Sequence, residues 1–171
     1  RMEPGDIVDL RAYLDEFEPR SDRNAEHELA FPFNLRRAVG FWKLLYLKQR
    51  PVISADELGE HARRGRYLVE ALGHCGECHT PRSLLGGLDQ ERWLSGAANP
   101  DGEGRVPNIT PHEDGLADWS VKDIAYYLES GFTPDYDTAG SSMVEVQENM
   151  ARLPAEDRAA MAAYLKAIPA R

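Results

Sequence analysis

The chain holds two cysteines, Cys75 and Cys78, and His79 follows the second directly. No other feature restricts the fold and chemistry as much. A disulfide across so short a loop would remove little entropy from the unfolded chain. A structural zinc site takes four ligands. No second cysteine pair exists, and His27, His61, His74 and His112 show no ligand spacing. A thioredoxin-like pair would follow a strand in a βαβ pattern. The residues around Cys75 carry a helical pattern instead.

What remains is covalent attachment of one c-type haem. Two thiols at this spacing on a helical turn can each add to a porphyrin vinyl group, and the adjacent imidazole then meets the iron from the same face. His79 is therefore the expected proximal ligand. A six-coordinate iron needs a second axial ligand, and Met2, Met143, Met150, Met161 and the other histidines are the candidates. Met161 lies on an apolar helical stripe that reads as core, and Met2 precedes the domain. Met150 sits close to Pro154 and reads as a gap-filler. Met143 follows the flexible Gly140-Ser141-Ser142 approach and is the expected distal ligand, which would favour Fe(II) and raise the reduction potential. The second nitrogen of His79 needs an acceptor. The Val106-Pro107-Asn108-Ile109-Thr110 segment cannot become helix, and it offers the Pro107 carbonyl.

The rest of the pattern is helical. Pro154, Glu156 and Asp157 open a last helix that Pro169 stops, with Met161, Tyr164, Leu165 and Ile168 on one face. Near the other end, Asp6 to Leu14 matches Asp157 to Leu165, and both segments close on Ala-Tyr-Leu. Ile7, Leu10, Leu14 and Phe17 form the matching stripe. Two readings fit: residues 1–20 are the terminal helix of a preceding, truncated haem domain, or two unrelated amphipathic helices share common residues. Residues 21–53 read as a connector with one helix from Asn34 to about Gln49, carrying Leu35, Val39, Trp42, Leu45 and Tyr46 on one face. That face needs a partner, either the haem domain or the missing first domain. Residues 54–171 read as the haem domain. Ser54 with Glu57 predicts a capping box, and Leu58, Ala62, Gly65, Val69 and Leu72 then share a face. Gly65 costs a helix roughly 1 kcal/mol relative to Ala, so its place there predicts a close backbone crossing. Pro81 to Asp118 reads as loop. Ser120 with Asp123 predicts a second capping box, for a helix closed by Gly131, and a short helical segment runs to about Ala151. No alternating strand is evident.

The net charge is −9. That argues against nucleic acid as a partner, since phosphate demands a basic face. It suits either a plainly solvated surface or steering toward a basic patch on a redox partner. No apolar run approaches the roughly 18 residues of a membrane span.

In order along the chain, the Cys75–His79 motif, Val106-Pro107-Asn108-Ile109-Thr110, Asp118-Trp119-Ser120, the approach to Met143 and the closing Ala-Tyr-Leu helix resemble the class I cytochrome c family. The likeness is strongest to its bacterial mono- and dihaem variants, and covers about Ser54 to Pro169. It implies an all-α, class I cytochrome c fold, here with an N-terminal helical extension. It implies that Gly65 marks the crossing of the first and last helices, with Tyr164 and Leu165 as partners. Pro107 resembles the proline whose carbonyl holds the axial histidine. Trp119 resembles a tryptophan that bonds a haem propionate, although a plain core role fits as well, and Arg105 could pair with a propionate. Dihaem members carry a further motif that this chain lacks. The resemblance implies single-electron transfer by one haem c per chain, with no catalysis of its own. Expected partners are a dehydrogenase, an oxidase or another cytochrome, in the bacterial periplasm, and a membrane association of the full-length protein is compatible with that. A catalytic or ligand-sensing haem with a labile distal ligand is the alternative.

Overall fold

Proline, serine and glycine set most helix limits in this chain. A computed structural model describes residues 1–99 and 102–171; Pro100 and Asp101, inside the predicted loop, lie outside the described residues. The chain divides into two compact units, Arg1–Arg50 and Pro51–Arg171.

The first unit contains α1 (Pro4–Asp15) and α2 (Arg36–Tyr46). Pro4 occupies the first turn of α1, where its missing N–H costs nothing. Arg11 bonds Asp15 one turn on, at 2.8 Å. The α2 helix starts two residues later than Asn34, and no side chain caps it. No residue of α1 or α2 is buried.

In the second unit the Ser54 hydroxyl accepts from the Asp56 N–H and caps only a single 3-10 turn, Ala55–Glu57. The helix proper, α3 (Glu60–Tyr67), begins after Gly59. The expected capping box is thus a one-turn cap, because the chain extends at Leu58 to bury that side chain before the helix starts. From Leu68 to Leu72, α3 widens into a π-helical turn. The haem motif forms α4 (Gly76–His79). A two-residue antiparallel ladder follows, β1 (Ala97–Ala98) against β2 (Arg105–Val106), with Ala97 opposite Val106. The sequence gives no alternation there. Then come α5 (Val121–Ser130), α6 (Met143–Met150) and α7 (Ala155–Ala167). The second capping box forms as expected: Ser120 accepts from the Asp123 N–H, and Asp123 accepts from the Ser120 N–H at 2.8 Å. Gly131 closes α5 at φ 78°, in the left-handed region that favours glycine.

The core lies where α3 and α5 pack on α7. Met161, Tyr164 and Leu165 of α7 and its C-cap Ile168 are all buried, together with Leu58, Ala62, Val69, Ile124 and Leu128. Each such side chain contributes about 1.5–3 kcal/mol when fully buried. The α3–α7 crossing is close because Gly65 faces backbone: a Cβ there would fall on the Ala160 carbonyl. The contact is one turn earlier on α7 than Tyr164 and Leu165. The architecture is the all-α fold that the resemblance implied; among the described residues its extended pairings are the two-residue ladder and two isolated bridges, Arg82 with Leu88 and Phe132 with Thr138. No helix among the described residues is long and apolar enough to cross a membrane.

Beside the crossing, the Arg64 guanidinium grips Asp157 through two bonds of 2.8 Å. Those bonds hold the Asp157 carboxyl below its usual range. A depressed acid contributes stability above its unfolded pKa, about 3.9, and loses it as pH falls through the lower folded value. The Arg64 side chain is half exposed, so the pair contributes only about 0.5–1 kcal/mol. Asp157→Asn should cost that much in denaturant unfolding at neutral pH, and the gap to the natural chain should close below about pH 4.

Candidate haem site

Cys75, the N-cap of α4, and Cys78 within it are three residues apart, and His79 is four beyond Cys75. On a helical turn those offsets place all three on one side. Both thiols are free. Burial pushes the Cys75 thiol up to about 11, so it stays protonated at neutral pH. Cys78 is exposed.

His79 is 8% exposed, and its Nδ1 lies 2.8 Å from the Pro107 carbonyl oxygen. An imidazole that donates from Nδ1 leaves Nε2 as the lone-pair nitrogen. Burial holds the ring's pKa below the ordinary histidine value, against the opposing pull of the Pro107 carbonyl. The ring is therefore neutral and ready to ligate.

Several local devices fix that carbonyl. The His79 carbonyl accepts the Gly96 N–H at 2.8 Å, and β1 and β2 pair immediately beyond. The Leu94 carbonyl accepts the Ile109 N–H at 3.0 Å. Gly96 has φ 82°, and a Cβ there would press on the Pro107–Asn108 peptide. Asn108 Oδ1 accepts both the N–H and the hydroxyl of Thr110 at 2.8 Å, which closes the loop after Pro107. The two-residue ladder thus ties the haem motif to the segment that orients its histidine.

Behind the motif, the Trp93 ring packs on Gly76, where any side chain would collide with it. Trp93 Nε1 donates to the Tyr164 hydroxyl at 3.2 Å. The Tyr164 hydroxyl donates to Glu70 Oε1 at 2.7 Å. Glu70 also accepts the N–H groups of Val52 at 2.6 Å and Ile53 at 3.1 Å. Burial first, then the adjacent Glu70 charge, pushes the Tyr164 phenol far above its ordinary pKa, so it remains a donor. Thr80 adds a further support, its hydroxyl accepting the Leu94 N–H at 3.0 Å. Nothing local in the sequence marks Glu70, Thr80 or Gly96 for these roles; Trp93, a large aromatic after the motif, carries a signal there.

The remaining candidates come from separate elements. Met143 is half-buried at the first position of α6. It shares a helical face with Gln147 and Met150. Gln147 is buried, and its amide donates to the Glu129 carbonyl at 2.9 Å, which docks α6 on the end of α5. Met150 packs on the hydrophobic core, and Met161 is within it. Trp119 is half-buried against the core and meets Tyr127 edge-on, ring centres 5.7 Å apart. Arg105 is exposed in β2.

Known proteins align along nearly the whole chain. A protein of Cereibacter sphaeroides named "Diheme cytochrome c-type" is 54% identical over 169 residues, spanning 99% of this chain and 56% of that protein. The chain belongs to the bacterial cytochrome c family. The fructose dehydrogenase cytochrome subunit of Gluconobacter japonicus is 35% identical over 174 residues, which is 100% of this cytochrome chain and 35% of that protein. The gluconate 2-dehydrogenase cytochrome c subunit of Pantoea cypripedii is 32% identical, over 90% of the chain and 36% of that protein. The cytochrome chain thus spans between about a third and just over half of these relatives. No family model matches it. Paired free thiols and a neutral buried imidazole with one nitrogen already bonded suit haem c as donors.

Proposed function

We propose that this chain transfers single electrons through one covalently attached haem c with His79 and Met143 as axial ligands. The observation that carries the reading is His79 held by the Pro107 carbonyl on the same turn as two free thiols. Haem bound there supplies an Fe(III)/Fe(II) couple. Cys75 and Cys78 anchor the group, and their being the chain's only cysteines sets the number at one. The Pro107 acceptor fixes the imidazole orientation and strengthens it as a ligand. Met143 reaches from α6, which Gln147 holds in place. With both His79 and Met143 holding it, haem would have no position left for catalysis, so the chain would relay electrons and perform no catalysis itself. Arg105 and Trp119 are propionate partners in this reading, with Trp119 also serving the core.

The names of the relatives support a dehydrogenase as the electron donor. In this reading an oxidase or another cytochrome is the next carrier. Thioether attachment of haem suits maturation outside the bacterial cytoplasm, so the protein works in the periplasm.

Optical spectroscopy tests the ligand set. The oxidised protein should show the weak far-red charge-transfer band of a thioether–Fe(III) bond, and the reduced protein should not bind CO readily. Met143→Ala should abolish the band while the haem stays covalently attached, and Met150→Ala should keep it. A natural chain without the band that binds CO readily would establish the catalytic or sensing alternative. Loss of the band in Met150→Ala instead would move the ligand to that residue.

A further inference from the structure

Two loops of the second unit share one backbone. The loop 83–87 is closed by the Arg82–Leu88 bridge, the Ser83 N–H donating to the Gly87 carbonyl at 2.8 Å and the Gly86 N–H to the Ser83 carbonyl at 2.9 Å. The loop 133–137 is closed by the Phe132–Thr138 bridge, the Thr133 N–H donating to the Asp137 carbonyl at 2.9 Å and the Tyr136 N–H to the Thr133 carbonyl at 3.1 Å. In both, the fourth residue is left-handed: Gly86 at φ 79° and Tyr136 at φ 64°. Glycine takes that conformation freely, whereas a tyrosine is strained in it. Its ring gains nothing back from the core, since Tyr136 is 94% exposed. Strain of this kind concentrates where a function needs the side chain. The ring borders a cavity of about 420 Å³ that Asp123, Tyr126, Phe132, Thr133 and Pro134 complete. None of these is basic, and Asp135 and Asp137 stand exposed on the same loop.

We propose that this cavity receives a basic side chain, arginine before lysine, presented by a redox partner protein. The partner's being a redox protein rests on the electron-transfer reading; the cation site itself rests on the geometry. Three of the six lining residues, Tyr126, Phe132 and Tyr136, are aromatic, and the face of such a ring attracts a cation. Asp123 adds a formal charge: its bonds to Ser120 hold the carboxyl below the usual range, so it is ionised at neutral pH. A planar guanidinium can stack on a ring and donate to a carboxylate at once, which an ammonium does less well. The cavity is too open to hold a free small cation. Tyr126 is 56% exposed and Phe132 48%, whereas ligand sites ordinarily bury most of their ligand. A side chain carried on a protein surface brings the further contacts that so shallow a site lacks, and tyrosine is enriched among the residues that dominate such interfaces. Anions are repelled by the carboxylates of Asp123, Asp135 and Asp137, and a second copy would bring the same charge to the interface.

The test is a titration of the reduced, haem-loaded chain followed by amide NMR, in which no electron moves. The probe is the capped peptide Gly-Arg-Gly, against the same peptide with citrulline, the neutral isostere of arginine. The arginine peptide should shift the amide signals of Tyr126, Phe132 and Tyr136, and the citrulline peptide should bind at least about tenfold more weakly. Tyr126→Leu with Phe132→Leu keeps apolar area but removes two ring faces, and should weaken binding about fivefold. Tyr136→Gly should also weaken it about fivefold without lowering the unfolding midpoint, since glycine fits the left-handed position. Equal binding of the citrulline peptide, shifts confined to residues elsewhere, or indifference to both variants overturns the proposal. So do concentration-dependent shifts of Tyr126 and Tyr136 without peptide, which would assign the face to a second copy. Failure of the arginine peptide to bind overturns the cation site and leaves the electron-transfer reading intact, which the far-red band tests separately.

Discussion

Gly65→Val should cost at least about 3 kcal/mol in denaturant unfolding, the upper end of what overpacking causes. Two effects oppose each other at this position, and Gly65→Ala separates them. Helix propensity alone favours alanine over glycine by about 1 kcal/mol. Packing predicts the opposite sign, since the added Cβ would fall on the carbonyl of Ala160 and close on the Met161 nitrogen. Both obstacles are backbone, so no rotamer change relieves them. The helices must separate, and separation loosens Met161, Tyr164 and Leu165 along α7. Gly65→Ala should therefore lower the unfolding midpoint, and Gly65→Val should lower it much further. An alanine variant more stable than the natural chain would show that α3 and α7 do not cross as closely as the structure places them.

What the sequence revealed and what it hid divide along contact range. The Ser120 capping box, the apolar face of α7 and the Cys75–His79 turn depend on neighbours within a few residues, so their signals were local. The α3 start was misplaced because Ser54 makes a good local cap, while burial of Leu58 delays the helix to Glu60. The ladder of β1 and β2 escaped because two residues cannot show alternation. Its cause is the meeting of Gly96 with the Pro107 loop. The Gly65 crossing was legible as a crossing, since a glycine on an apolar face has few other reasons to be there, but the partner residue depends on how far α7 slides along α3.

Glu70 was the least legible of all. On a regular helix it lies well off the face set by Ala62, Gly65 and Val69 and would read as solvated. The π-helical turn from Leu68 to Leu72 changes the phase, turning Glu70 inward and leaving Leu72 exposed. Such turns appear in helices mostly where a function or an inserted group demands them. Val52, Ile53 and Tyr164 donate to it, so the side chain serves there as a hydrogen-bond acceptor.

Glu70→Ala should consequently cost about 3 kcal/mol or more. Each orphaned buried donor costs about 1–3 kcal/mol, and three donors lose an acceptor at once. Glu70→Gln should lose less. Its amide oxygen can keep the Ile53 and Tyr164 bonds made by Oε1, but its NH2 then faces the Val52 N–H. Tyr164→Phe removes the bond to Glu70 and the acceptor of Trp93, whose ring packs on Gly76 of the haem motif. Because the three side chains form one chain of bonds, the losses should not add. A double-mutant cycle of Glu70→Ala with Tyr164→Phe should show a coupling of at least about 0.5 kcal/mol. Strict additivity would mean that the link through Tyr164 carries no energy, and that Glu70 serves only to pin Val52 and Ile53 at the start of the second unit.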